Sequence, residues 1–549
     1  MSRRSLIVLT AIAALARLGN LLWLHPLNWD EVEYFRATDW VRRGLVPYRD
    51  FWEHHSPLQW FVFAPFSWLA RGDGVAPIVF MRVVQVPLWI ATFVLLARWM
   101  AKQGIAQSAR WSAILLALCS SFFMLAAVEY RIDALGCFLM VLALALIDEH
   151  PFAGGAAIAL AGFANLRFGP LLACAMLAIV ITRRRRAIPA VAGAAVATLI
   201  CVGYFVATHS VAIAWQSVWT DNYLADAFAP APAHPFLHRI AVPFGIFWPP
   251  FDFRAPSCEP ATLIIFIAGA IGTIRALRRR DALFVLAILE IVNVLFIAKM
   301  KYVWNYHFGA AILLALPFVA LELERIRARR VVVALLILAS CVNVFASVFR
   351  GKEADFAYQD AIIRDVHRVT APGTKVFDGA GWALHREPAY RHWFLRGIVN
   401  VLEARGRYAR YGAAEMASDP PAAIITDGGV RVWLAMHRDL AAYVTSHYVP
   451  LWRDLRVPGL RGALAPSQRI EWQAPRAGEY TLHASHDVAW NGGGRSLRAG
   501  EIVTIVNESN SSAPVTIVPR GVSPEYREPA SGVDLDGNSP PVTHIPNLR

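Results

Sequence analysis

The sequence predicts an α-helical polytopic membrane protein with a C-terminal mixed α/β, partly β-rich domain outside the membrane. Three observations predict it. Of 549 residues 56% are hydrophobic and only 17% charged, and the mean hydropathy is +0.42; this excludes a soluble multidomain chain as well as a disordered or fibrous one. Apolar runs such as 187–207 and 331–349 are each long enough to cross a hydrocarbon core of about 30 Å. From residue 350 the pattern changes: strand-like runs at Lys375–Asp378 and Ala423–Thr426 stand between helical patterns, and 467–520 alternates as β structure does, with turn signals at Arg476-Ala477-Gly478 and Gly492-Gly493-Gly494.

Eleven crossings are expected, near 6–24, 76–98, 110–127, 133–148, 152–163, 170–182, 187–207, 261–276, 281–298, 305–321 and 331–349. The first follows Arg3-Arg4 and is read as an uncleaved helix with its basic end inside, because Arg17 and Asn20 interrupt it and no small-x-small cleavage site follows. This arrangement puts the Arg clusters at 98–110, 183–186, 275–280 and 325–330 in the cytoplasm, while the opposite loops are close to charge balance. The formal charge of +13 is therefore mostly topological, and nucleic acid is not an expected partner. Segment 57–70 is apolar but only about 21 Å long as a helix, so it is expected to lie at the outer interface within the first outer loop, 25–75, rather than cross. A second large outer loop covers 208–260. The stretch 151–182, flanked by cytoplasmic charge on both sides, must go out and back as two short helices with Asn165–Pro170 at the tip. The expected domains are thus 1–349 in the membrane, 350–520 outside it, and a disordered Pro-, Gly-, Ser- and Asp-rich tail at 521–549. The six cysteines are scattered, five of them in apolar runs, and read as packed hydrophobes.

Titratable residues concentrate on the outer side. Asp30, Glu31 and Glu33 follow the first helix and could supply a general base in a membrane-edge cavity. Asp30 with Glu33 three residues on also fits a helix-capping box, and the two readings are compatible. Glu129-Tyr130-Arg131-Ile132-Asp133 is a very short loop between apolar helices, where charge must be paired or wet. Arg131 can be a structural clamp or a functional cation. Arg167 lies at the tip of the out-and-back pair. Lys299 and Lys301 sit at an outer boundary; they either snorkel to lipid phosphate or join Arg131 and Arg167 in a pocket for an anionic headgroup. Tyr48, Arg49, His54, His55, Tyr302 and His307 are expected to line the substrate cavity. Adjacent imidazoles do not easily share one ion, so His54-His55 is not expected to be a metal site, and no cofactor is required.

Together these segments resemble the GT-C superfamily of membrane glycosyltransferases, in the branch of protein O-mannosyltransferases and lipid A aminoarabinose transferases. Asp30-Glu31 resembles the acidic pair of the first outer loop. Gly44-Leu45-Val46-Pro47-Tyr48-Arg49-Asp50-Phe51 followed by Ser56-Pro57-Leu58 resembles the approach to the juxtamembrane helix. Arg131-Ile132-Asp133 resembles the second outer-loop acid, Arg167-Phe168-Gly169-Pro170 a Lys-Gly-Pro turn, and Lys299–Tyr302 with Pro317 a later Lys/Tyr loop. The chain departs from that pattern in having Arg167 for Lys and a single Pro after His55-Ser56. The resemblance covers about 1–350 and implies a GT-C fold and transfer of a sugar from a polyprenyl-monophosphate donor to a lipid, glycan or protein acceptor, with inversion. It implies Asp30 as base or acceptor-orienting group, Glu31 and Asp133 in support, and Arg131, Arg167, Lys299 and Lys301 holding the donor phosphate. The expected location is a bacterial inner membrane, N-terminus cytoplasmic and C-terminal domain periplasmic. A lipid-linked-glycan ligase or polymerase, and a transporter, are the alternatives.

Overall fold

The computed structural model describes residues 25–228, 260–300, 305–326 and 353–523, apart from 183, 280, 396, 452, 485–487 and 492–495, together with 15, 18, 19, 22, 23 and 535. The expected crossing at 331–349, the boundary at 349/350, most of 6–24, most of the 208–260 loop, the Gly492–Gly494 turn and nearly all of the tail lie outside the described residues.

The membrane part is a helical bundle. Its helices are α1 (Trp29–Arg42), α2 (Leu58–Ser67), α3 (Ala76–Lys102), α4 (Gln107–Cys119), α5 (Ser121–Val128), α6 (Ile132–Leu146), α7 (Pro151–Ala164), α8 (Gly169–Thr182), α9 (Arg184–Ala207), α10 (Pro260–Ala276), α11 (Ala282–Lys299) and α12 (Gly309–Arg325). Among the described residues four helical stretches, Ala76–Lys102, Arg184–Ala207, Ala282–Lys299 and Tyr306–Arg325, are long and apolar enough to cross a membrane, and four shorter apolar helices accompany them. Helix α2 has ten residues, about 15 Å, too short to cross.

One expected crossing has a different form. The run 110–127 is α4 followed by α5, broken at Ser120, whose backbone is extended (ψ 119°). The Ser120 hydroxyl hydrogen-bonds Thr262 at 2.6 Å and accepts from Phe123 N–H, the kind of side-chain competition that interrupts a helix. The stretch 151–182 does turn back on itself, through a 3-10 turn at Leu166–Phe168 that Asn165 caps by accepting from Arg167 N–H. Helices α7 and α9 pack backbone to backbone: a Cβ on Gly155 would collide with the Ala190 carbonyl, and one on Gly193 with that of Phe152, the close approach small residues permit in membranes.

The C-terminal region opens with a helix at Glu353–Val369. A five-stranded sheet follows, from β1 (Lys375–Phe377), β2 (Glu387–Pro388), β3 (Ala423–Ile425), β4 (Tyr448–Pro450) and β5 (Leu455–Pro458), in the order β2-β1-β3-β5-β4. β1 runs parallel to both β2 and β3, while β5 is antiparallel to its neighbours. Next come β6 (Leu460–Leu464), β7 (Arg469–Gln473), β8 (Gly478–Ala484), β9 (Val488–Trp490), β10 (Ser496–Leu497), β11 (Ile502–Asn507) and β12 (Ala513–Pro519). They form a four-stranded sheet, β10-β8-β12-β6, and a three-stranded one, β7-β11-β9. Leu464, Trp472, Tyr480, Ile505 and Ile517 fill the core the two sheets share, as the alternation over 467–520 requires.

The mixed sheet grips α1 and the loop that follows it. Arg36 of α1 is buried against Asp378 at 3.3 Å, donates to Arg386 O, and lies between the rings of Trp40 and Trp393. The Trp393 indole donates to Trp52 O, Arg391 to Tyr48 O, and the Gln359 amide pairs with both the N–H and C=O of Leu27. His392 stacks flat on Tyr408, ring centroids 3.8 Å apart. Its pKa falls to about 4, through burial first and the Arg391 charge second. A base with a depressed folded pKa leaves the native state with fewer bound protons than the unfolded chain below pH 6.5. Stability is therefore lost as pH falls from about 6.5 to 4, by up to about 1.4 kcal/mol per unit. Unfolding midpoints of the detergent-solubilised protein across that window should fall less steeply in His392→Gln than in wild type.

Candidate functional site

Helix α1 begins two residues earlier than the Asp30 cap expected from spacing. Asn28 is the N-cap: its side chain accepts from Asp30 N–H at 3.1 Å, and Glu31 at the third helical position accepts from Asn28 N–H at 3.0 Å. The box therefore forms on Asn28 and Glu31, and neither Asp30 nor Glu33 is spent on the helix end.

The three acids then diverge. Glu31, fully buried, takes two hydrogen bonds from Arg82 at 2.7 and 2.6 Å and one from Tyr130 N–H at 2.8 Å. Arg82, equally buried, uses its remaining donors on the carbonyls of Leu22, His25 and Pro26. Asp30 Oδ2 accepts from Arg131 Nη2 at 2.8 Å, and 11% of its side-chain surface stays open.

Arg131 is the hub. Besides Asp30 it donates to Glu129 at 3.2 Å and to Asp133 at 3.3 Å. Burial works against its charge, but the carboxylates, Asp30 foremost, hold its pKa well above the usual value. Asp133 also receives Arg167 Nη2 at 3.1 Å and the Asn165 amide at 2.9 Å. The Tyr306 ring covers the pair, its centroid 3.5 Å from the Arg131 guanidinium carbon and 5.0 Å from that of Arg167. Arg167 keeps 24% of its side chain exposed against 1% for Arg131. Three segments distant in sequence thus bring Asp30, Arg131, Asp133 and Arg167 together.

The other expected residues are placed as follows. Tyr48 is buried, with φ +68°, and its hydroxyl donates to His55 O at 2.6 Å. Arg49 is half exposed and pairs with neighbouring Asp50. Lys299 ends α11 and His307 lies in the turn before α12; Lys301 and Tyr302 lie outside the described residues. His54 and His55 face Glu33 and Glu53, and this cluster is the set that could hold a metal ion. Burial raises both glutamates, Glu33 further through the charges of Glu53 and Asp30, and lowers both histidines to about 3. Sequence reasoning missed Glu53, Asn165 and Tyr306, and read Glu33 as a capping acid or one of three candidate bases. The available signal was adjacency: Glu53 precedes the His pair, Asn165 stands two residues before Arg167, and Tyr306 precedes His307.

With this geometry established, the known proteins can be set beside it. Residues 54–300 match the model of glycosyltransferase family 87. No curated protein matches the sequence. The crystal structure of ArnT from Cupriavidus metallidurans in the apo state has a similar fold: TM-score 0.57 and 12% identity over 83% of this chain and 98% of that one. The Archaeoglobus fulgidus oligosaccharyltransferase, solved with Zn and sulfate, is 13% identical with TM-score 0.42, covering 83% of this chain and 72% of that one. The chain is thus an integral membrane protein and an enzyme of the glycosyltransferase class. Over residues 54–300 it is similar to glycosyltransferase family 87, and its fold is similar to that of ArnT.

Removing one partner of a buried ion pair strands the other, at about 3–5 kcal/mol. Glu31→Gln should lower the unfolding midpoint by that equivalent, read from tryptophan fluorescence in detergent, whereas Asp30→Asn, at a partly open carboxylate, should leave the midpoint near wild type.

Proposed function

We propose that the enzyme transfers a sugar from a polyprenyl-monophosphate donor to a lipid, glycan or protein acceptor at the outer membrane face, with inversion. The observation that carries this reading is the Asp30 carboxylate, pinned through one oxygen by Arg131 and still partly open, beside an Arg167 guanidinium that faces outward. The acceptor nucleophile attacks the anomeric carbon opposite the leaving group while Asp30 Oδ1 takes or orients its proton. The anomeric C–O bond breaks and the polyprenyl phosphate departs with the electron pair. Arg167, with Lys299 and Lys301, stabilises that charge. All three hydrogen-bonding edges of Arg131 are held by carboxylates and one face by Tyr306, so we assign it to positioning Asp30 rather than to the phosphate. Glu31, locked to Arg82, supports the helix start, and Asp133 orients both arginines.

An apolar cavity of about 280 Å³ between α10, α11 and α12, lined by Phe266, Ile274, Val294 and Phe308 among others, supports a substrate with a hydrocarbon tail, because Phe308 lies two residues from Tyr306. We further propose eleven crossings, a membrane domain over 1–349, an outer domain over 350–520, and a bacterial inner membrane with the N-terminus inside.

Two substitutions test the reading. With radiolabelled polyprenyl-monophosphate sugars as donors and membrane lipid and protein as acceptors, Asp30→Asn should reduce transfer by ~10²–10⁴ with its fold intact; full transfer by that variant overturns the assignment. Arg167→Gln should lower kcat by ~10²–10³, as expected for loss of a donor to developing negative charge. A change confined to KM would instead place Arg167 in ground-state binding.

A further inference from the structure

The transfer chemistry leaves Glu33, Glu53, His54 and His55 unused. Glu33 and Glu53 are fully buried. Among the described residues neither oxygen of Glu33 accepts a hydrogen bond, and Glu53 Oε2 and His54 Nδ1 have no hydrogen-bond partner. Two carboxylates facing each other out of water, with donors on only one of their four oxygens, Glu53 Oε1, are strongly unfavourable. Some positive species belongs between them.

The geometry says which. His54 Nδ1 lies 3.3 Å from Glu33 Oε1 and 3.4 Å from Glu53 Oε1; His55 Nδ1 lies 3.6 and 2.9 Å from the same two oxygens. One ligand atom from each of the four residues falls within 4.8 Å of every other. A tetrahedral ion with bonds of about 2.0–2.1 Å sets its ligand atoms about 3.3–3.4 Å apart, close to the mean of these separations. The backbone explains how consecutive histidines converge, against the sequence expectation. Glu53 Oε1 accepts from the N–H groups of both His54 and His55, at 2.7 and 3.1 Å, curling the turn so that both Nδ1 atoms face the carboxylates. The outer side of the cluster is also built: the Tyr34 hydroxyl meets His55 Nε2 at 3.2 Å, and the Trp52 ring stacks on His54. Such contacts fix a ligating imidazole's tautomer and orientation.

We infer that Glu33, Glu53, His54 and His55 bind one divalent transition-metal ion, zinc being the best match to two imidazole nitrogens and two carboxylate oxygens in a tetrahedral arrangement. The ion ties α1, one turn beyond Asp30, to the 53–55 turn and neutralises the two buried acids. The inference does not depend on the donor or acceptor of the transfer reaction. The competing occupant is a proton shared by Glu33 and Glu53, which would leave His54 Nδ1 without a partner.

The test uses full-length protein in detergent, stripped with a chelator, incubated with excess zinc sulfate, desalted and assayed for metal by mass spectrometry. Wild type and Asp30→Asn should each retain about one ion per chain, and His54→Gln/His55→Gln should bind at least about tenfold more weakly. Zinc, and not magnesium, should restore the unfolding midpoint lost on stripping. Wild type that keeps no zinc above a buffer control overturns the inference, as does equal zinc retention by the double variant with a native elution profile and circular dichroism. Should the double variant not fold, cobalt loaded into stripped wild type decides: intense visible bands of four-coordinate cobalt support the site, and their absence refutes it.

Discussion

The way α1 starts governs the rest of the site. Three acids in its first turns, at positions 30, 31 and 33, leave a helix of about 100° per residue in different directions. With Asn28 as the cap, none of them except Glu31 touches the free amides, and Glu31 does so with one oxygen while Arg82 holds both. Had Asp30 been the cap, its carboxylate would have been spent on backbone N–H groups. Instead it reaches Arg131. The charges that result are buried at the edge of an apolar bundle, where an unpaired one costs several kcal/mol, and two of the acids find a cation from another segment: Arg82 from α3 for Glu31, and Arg131 before α6 for Asp30.

The C-terminal region takes part in building this arrangement. The loop between α1 and α2 is irregular and could not hold Glu53, His54 and His55 by itself. It is gripped at Tyr48 by Arg391, at Trp52 by Trp393, and again at Trp52 by the Tyr408 hydroxyl, which in turn donates to Asp221. These partners come from the segment after β2 and from Gln216–Asp221. The Arg36–Asp378 pair, roofed by Trp40 and Trp393, fixes the same face of α1. A small displacement of the mixed sheet would therefore move the loop that carries Glu53 and both histidines.

Much of the helical architecture was legible because apolar length reports directly on which segments can cross a membrane. The out-and-back pair around Arg167 could be read from its charged flanks, and the outer β strands from their alternation. The break at Ser120 was not legible, because it depends on a hydroxyl bond to Thr262, 142 positions away. The capping box was placed two residues late: Asn28 and Asp30 are both good caps, and tertiary demand for Asp30 decides between them. Glu33 and Glu53 escaped for a related reason. Their importance lies in what does not touch them, and a missing hydrogen bond has no signature in sequence. Short strands such as Glu387–Pro388 exist only as edges to β1.

The two arginines beside Asp133 illustrate how burial divides labour between like residues. Arg131 meets three carboxylates through Nε, Nη1 and Nη2, and its face lies against Tyr306. A guanidinium satisfied on every edge is a rigid strut: its charge is cancelled locally, and a phosphate approaching it would first meet its acids. Arg167 shares its one acid, Asp133, with both Arg131 and the Asn165 amide, and a quarter of its side chain remains open. Its field is thus less compensated and is directed at solvent. In the proposed reaction a leaving phosphate would gain more from that second cation, because stabilisation of developing charge requires a donor that is fixed yet not already neutralised.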